Sequence, residues 1–184
     1  MRRRLEIIRV CCLGLAGVVV SGAVHESGHA LVAAWAGLDI VRLQLWIIAG
    51  PPHVLMAGET TRSSYAAIAI AGMLLTVLVG LFGTISAGLL TRKWPPARWV
   101  IVFFFPMLCQ SLAWVILPLA IILGAPAPKD DVTTFMRDTG LHAIAILAIG
   151  LAVTAIAALA LRWAVRSAIT ATRTQSQPSY EAQQ

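Results

Sequence analysis

The chain has 184 residues, 59% of them hydrophobic and 12% charged, against roughly 45–50% and ~25% in soluble domains. With a mean hydropathy of +0.83, it lacks the polar groups to cover a soluble globule of this size. That excludes a soluble enzyme, a disordered chain and a disulfide scaffold, and leaves an integral membrane protein. The net charge of +6 comes from Lys and Arg in short groups between apolar runs. No basic face is interleaved with aromatics, so the charge points to orientation in a bilayer and not to nucleic acid. Cys11, Cys12 and Cys109 all lie inside apolar runs and read as small packing residues.

In chain order, the first apolar run extends from about Leu5 to Leu38, behind Met1-Arg2-Arg3-Arg4. Ser21-Gly22-Ala23 would pass as a signal-peptide cleavage site. Apolar character resumes at Ala30-Leu31-Val32-Ala33-Ala34-Trp35, however, so the run reads as an uncleaved signal-anchor helix. Residues 39–62 change character. Val41-Arg42-Leu43-Gln44-Leu45-Trp46 alternates with period two, Ala49-Gly50-Pro51-Pro52 marks a turn, and His53-Val54-Leu55-Met56 follows. This predicts a β-hairpin over 41–57, held at the interface or against the helices because open strand edges cannot face lipid.

Three more spans are expected, from about Ser64 to Leu90, Ala97 to Leu123 and Leu141 to Val165. Pro106 and Pro118 fall inside the third as kinks. Gly124 to Asp131 forms a turn-rich loop, and the polar tail after Ser167 is expected to be disordered. The expected fold class is an all-α integral membrane protein of about four transmembrane helices with a short β-hairpin between the first and second. It comprises one membrane-embedded domain over residues 1–166 and a polar tail over 167–184. The six tryptophans are expected mainly at span ends, as in aromatic belts.

Loop charges set a direction. Arg2, Arg3, Arg4 and Arg9 open the chain, Arg92, Lys93 and Arg98 fill the second loop, and Arg162, Arg166 and Arg173 lie at the C-terminal end. The first and third loops balance Arg42, Arg62, Lys129 and Arg137 against Asp39, Glu59, Asp130, Asp131 and Asp138. The positive-inside rule then predicts both termini in the cytoplasm, in a multi-pass protein of the plasma (inner) membrane.

Inside the first span stands Val24-His25-Glu26-Ser27-Gly28-His29-Ala30. On a helix His25 and His29 share one face, so both imidazoles can reach one Zn²⁺. Glu26 is then placed to take a proton from metal-bound water, whose pKa zinc lowers to about 7. Three ionisable residues within five positions of a span are costly, and such groups usually serve function.

His25-Glu26-Ser27-Gly28-His29-Ala30 resembles the H-E-x-G-H-A signature of the site-two protease family of intramembrane zinc metalloproteases. Ile70-Ala71-Gly72-Met73-Leu74-Leu75 is similar to that family's A-G-P-x-x-N segment, with Met73 where proline is usual. The resemblance covers about residues 5–145 and implies a third metal ligand, an aspartate, near the end of the third span. Leu117-Pro118 and the Asp130-Asp131 pair are the nearest match. Asp131 to Gly140 resembles a variant in which the aspartate precedes a short helix closed by Thr-Gly, a register that favours Asp131 over Asp130.

Topology agrees with that set. His25 lies about 20 residues along its span, ~30 Å at 1.5 Å per residue, and odd-numbered spans run in one direction, so the end of the third emerges on the same side.

The resemblance thus implies one Zn²⁺ per chain on His25, His29 and Asp131, with Glu26 as the catalytic base. It implies an intramembrane metalloendopeptidase that cuts in or near the transmembrane segments of membrane-protein substrates. The chain departs from the family in two places. It contains no asparagine, so the residue that helps hold substrate has no counterpart; Gln110 could substitute, although helix–helix hydrogen bonding is the ordinary role of such an amide. Asp131-Val132 stands where Asp-Gly is usual. The resemblance also implies a site open to the cytoplasm, whereas the charge count puts His25 in the outer half of its span.

The alternative is a non-proteolytic zinc-binding membrane protein with a regulatory or interaction role. A metal transporter would need acidic or histidine positions in further spans, and the second and fourth have none at mid-depth. His53, Glu59 and His142 read as interfacial or solvated residues.

Overall fold

The computed structural model describes residues 2–45, 52–91 and 93–176. The elements are α1 (Arg2–Trp35), β1 (Asp39–Gln44), β2 (His53–Ala57), α2 (Arg62–Leu90), α3 (Arg98–Cys109), α4 (Ala113–Ile122), α5 (Asp131–Thr139) and α6 (Ala143–Ser176). Four helical stretches are long and apolar enough to cross a membrane: Arg3–Trp35, Arg62–Leu90, Arg98–Ile122 and Ala143–Thr172. The protein is therefore an all-α, four-span membrane fold with a two-stranded antiparallel hairpin between the first and second spans.

The first span is one unbroken helix through Ser21-Gly22-Ala23. The third carries Pro106 in α3 and Pro118 in α4, and between them Gln110–Leu112 tightens to a single 3₁₀ turn. Each proline removes one i→i−4 bond, which makes this span the irregular one.

In lipid, helices gain little from burying apolar surface against one another, so close approach through small residues does the holding. A Cβ at Gly17 would meet Phe103 on α3, one at Gly83 the Phe104 ring, one at Gly88 Ala164 on α6, and one at Gly150 the Trp114 backbone. These contacts run α1 alongside α3 and α2 against both α3 and α6. Polar cross-links add to them. Gln110 Nε2 donates to Ser21 Oγ at 3.2 Å, and Thr154 Oγ1 to Ser111 Oγ at 3.0 Å.

The core lies where α2, α4, α5 and α6 meet, around Met73, Val77, Trp114, Val132 and Ile146. Trp114 is 2% exposed and stacks edge-on to Phe135, ring centroids 5.2 Å apart. It belongs to this core and not to the belt expected of the tryptophans; Trp35 and Trp94 do stand exposed at span ends.

Two further expectations change. Helix α6 continues to Ser176, so residues 167–176, expected as disordered tail, are helical. Ala168 and Ala171 favour that conformation, and Thr170 and Thr172 hydroxyls bond back to the Arg166 and Ala168 carbonyls. Residues 177–184 lie outside the described residues, as do the Ala49–Pro51 turn, Trp46 and Arg92.

In the hairpin, pairing slips between Ile40 and Arg42, so Val41 forms a bulge. A bulge leaves one residue unpaired and bends its strand. Ile40 and Met56 pack on Ala33, Leu38 and Ile68, and Gln44 is buried, while Val41, Leu43 and Leu55 are exposed. The apolar phase of the alternation is thus the exposed one.

Candidate metal centre

The site is built where three elements converge. In α1, the Ser27 hydroxyl donates to the Ala23 carbonyl at 2.7 Å, so this polar residue is satisfied inside its own helix. Gly28 lets α2 come against α1: a Cβ there would meet the Ala71 carbonyl and Gly72. Gly72 in turn lies directly under both imidazoles, where a Cβ would collide with Nε2 of His29 and of His25. At position 72 only glycine leaves room for two histidine rings against the α2 backbone. Met73, next along, is a core residue.

The third element is α5, a nine-residue helix. Asp130 is its N-cap; the carboxylate accepts from Thr133 N at 2.8 Å, and Asp130 N donates back to Thr133 Oγ1 at 3.2 Å. Gly140, at φ +71°, closes the other end in the left-handed conformation that glycine adopts without strain. With Asp130 committed to the cap, Asp131 opens the first turn and its side chain turns to α1. Val132, next along, is buried in the core and anchors the helix.

Asp131 Oδ2 lies 3.0 Å from His25 Nε2 and 3.1 Å from His29 Nε2, and the two Nε2 atoms are 3.1 Å apart. The three atoms form a nearly equilateral triangle. His29 Nδ1 is 2.6 Å from the Ile68 carbonyl; a carbonyl can only accept, so Nδ1 carries the hydrogen and Nε2 of neutral His29 presents a lone pair. Burial pushes the Asp131 carboxyl up, and hydrogen bonding to His25 and His29 outweighs it, holding the group well below the usual carboxylate range.

The donor set fits a metal ion. Three lone-pair atoms at mutual contact cannot all be reconciled by protons, because at most two of the three edges can carry a hydrogen bond. A cation at the centre satisfies all three. The edges are close to the ~3.3 Å expected between ligands of a tetrahedral ion with bonds of ~2.0–2.1 Å. His29 also has the outer-shell carbonyl partner usual for a ligating histidine. His25 Nδ1 is buried without a hydrogen-bond partner among the described residues.

Glu26, adjacent to the first histidine, lines a cleft of about 370 Å³ together with His29, His53, Tyr65, Asp131 and Thr134. A second cavity, about 660 Å³, reaches Asp131 past Lys129, Thr133 and Arg137. Asp131 stands at 40% side-chain exposure, while His25 and His29 are at 18% and 8%, so the site is open on the aspartate side and closed behind the imidazoles.

Of the residues singled out from the sequence, His25, His29 and Asp131 come together as a group able to hold a metal ion, and Glu26 lines the cleft with His29 and Asp131. Asp130, Glu59 and His142 are not in the group. His142 instead accepts the Ile144 N–H at 3.3 Å, at the start of α6. Gln110 bonds α1 at Ser21 and does not line the cleft.

His53 does line it, where the sequence suggested an interfacial residue. Pro52 packs at Gly22, one turn from Glu26 on the same face of α1, and carries His53 to the cleft mouth. The Pro51-Pro52 pair was the available signal, but it gives stiffness without direction. Tyr65 and Thr134 carried no signal at all. A scan of protein-family models, a search of curated proteins and a search of solved structures each found no match to this chain.

Proposed function

We propose that the chain is an intramembrane zinc metalloendopeptidase acting on transmembrane or membrane-adjacent segments of protein substrates. The observation that carries this reading is the triangle of His25, His29 and Asp131 donors with Glu26 in the same open cleft. Two histidines and a carboxylate are the donor set of catalytic zinc sites that keep a fourth position free. The resemblance of His25-Glu26-Ser27-Gly28-His29-Ala30 to the site-two protease signature supports the same reading.

His25, His29 and Asp131 would hold the ion. Zinc bound there supplies a Lewis acid that polarises a carbonyl and makes water acidic enough to yield hydroxide near neutral pH. Glu26 takes the proton from the attacking water and returns it to the leaving amine. His53 and Tyr65 bring N–H and O–H donors to the cleft, which suits them to a carbonyl oxygen in place of the absent asparagine. A helical substrate has its carbonyls bonded and shielded, so it must be extended before it is cut. The two-stranded hairpin, with Val41, Leu43 and Leu55 exposed, offers such a strand a backbone edge to pair with.

The test is a purified pair, wild type and Glu26→Gln, assayed for zinc content and for cleavage of a transmembrane-segment substrate. Both should carry one zinc, and the variant should lose at least the ~10²–10⁴-fold typical of a missing general base. A fully active Glu26→Gln protein would sink the mechanism. The runner-up, a zinc-binding membrane protein without peptidase activity, is favoured by the lack of any asparagine. It predicts zinc in both proteins and cleavage in neither.

The loop charges support cytoplasmic termini in a plasma (inner) membrane and a cleft facing outward. A single cysteine at Thr133 should therefore react with an impermeant reagent in intact cells. Protection there, with labelling of a cysteine at Ser176, would invert the orientation.

A further inference from the structure

The end of the bundle remote from the histidines has its own cavity, about 460 Å³ between α3 and α6. Its walls are apolar, with Ile101 and Val102 on one side and Val165 and Ile169 on the other, and its mouth is formed by Arg98 and Trp99. The Trp99 indole is flanked by two guanidinium groups from different helices, that of Arg98 at 5.1 Å and that of Arg9, from α1, at 5.4 Å from the ring centroid. Among the described residues neither arginine pairs with a carboxylate. Two like charges are thus brought to one ring at the top of a greasy slot, with their N–H donors still to be used.

Cation–π contact orients each guanidinium but leaves its planar fork available, and that fork matches a phosphate in bidentate fashion. The surroundings carry the same sign. Arg3, Arg4, Lys93, Arg162 and Arg166 belong to this end, and Glu6 is its one acid among the described residues. Tryptophan at a span end lies at headgroup depth, so the charged mouth and the apolar slot are stacked in the order of a phospholipid's own parts.

We propose that this groove binds one anionic phospholipid, with an acyl chain between α3 and α6 and the phosphate on Arg98 and Arg9. The occupant is a lipid and not a free anion because the larger part of the cavity is hydrocarbon-lined and gives an inorganic ion no partner. The bound lipid bridges α1, α3 and α6. Nothing in the proposal depends on the metal centre or on peptidase activity.

Native mass spectrometry of the full chain in a neutral detergent tests it, with phosphatidylglycerol and phosphatidylcholine of identical acyl chains. The expected result is one phosphatidylglycerol per chain, retained roughly tenfold better than phosphatidylcholine through its charge-assisted bonds. Arg98→Gln should abolish the preference, as should the exposed-site variant Arg9→Gln in part. Ile169→Trp, which fills the slot, should lower retention of both lipids. Equal retention of the two lipids by the wild type, or a preference unchanged in Arg98→Gln, would overturn the proposal. So would displacement of the phosphatidylglycerol by millimolar inorganic phosphate, which would mark a free-anion site.

Discussion

Helix α2 uses glycine for guests of two kinds. Near its start Gly72 makes room for the imidazoles of His25 and His29, while further along Gly83 admits the Phe104 ring and Gly88 admits α6 at Ala164. The backbone solution is the same in both halves: a missing Cβ lets a neighbour reach the helix surface. What differs is what the neighbour does next. Hydrocarbon in the second half is held by contact alone, and a slightly different shape would serve nearly as well. The imidazoles of the first half must also hold their nitrogens 3.1 Å apart and 3.0–3.1 Å from a carboxylate oxygen. One half of the helix is therefore specified by volume, the other by the position of lone pairs.

That contrast can be broken by substitution. The largest effect should come from Asp131→Ala, which removes one of three donors and should weaken metal binding by more than the ~10²-fold seen for outer-shell losses. Metal titration of the purified variant measures it. Asp130→Ala should leave metal binding near wild type and cost only the N-cap, about 1 kcal/mol of stability. Equal metal affinity in the two variants would place the third donor elsewhere. Next comes Trp114→Ala, in the apolar core that packs on Met73 and Val132, expected to lose about 3–5 kcal/mol in reversible unfolding while the folded fraction still takes up metal.

The smallest and most discriminating pair is Gly72→Ala and Gly83→Ala. Both overpack a helix contact, at roughly 1–3 kcal/mol. Only Gly72→Ala should displace the imidazoles and lower metal affinity, by about 10–100-fold. A metal affinity that fell equally in both would mean that the two halves of α2 are not separately specified.

Much of this division is legible in the chain itself. Span positions follow from apolar runs that leave no other reading, and the H-E-x-x-H spacing places two nitrogens on one face before any tertiary structure is known. The preference for Asp131 over Asp130 rests on the resemblance, through a short helix closed by Thr139-Gly140, and the N-cap role of Asp130 shows only in the fold. Other features depend on contacts that no local pattern carries. Val41 and Leu43 are exposed beside a buried Gln44 because of how the hairpin docks on α1 and α2, which period-two alternation does not state. Trp114 is buried because Gly150 on a distant helix admits its backbone, and His53 reaches the cleft because Pro52 finds Gly22. The helix over 167–176 was hidden by polar composition, which says what a segment dissolves in and little about its backbone.

The donor triangle also has an order in time. Its first two corners lie in the first span and the third comes 106 residues after His25, on a helix that does not cross the membrane. A chain emerging from the ribosome therefore inserts His25, Glu26 and His29 long before it can close the triangle. Even a complete third span is insufficient, because Asp131 lies beyond it, in the first turn of α5. The three donors can therefore meet only after the first three spans have been made, and a truncated chain lacking α5 keeps Glu26 but has no complete set of donors beside it.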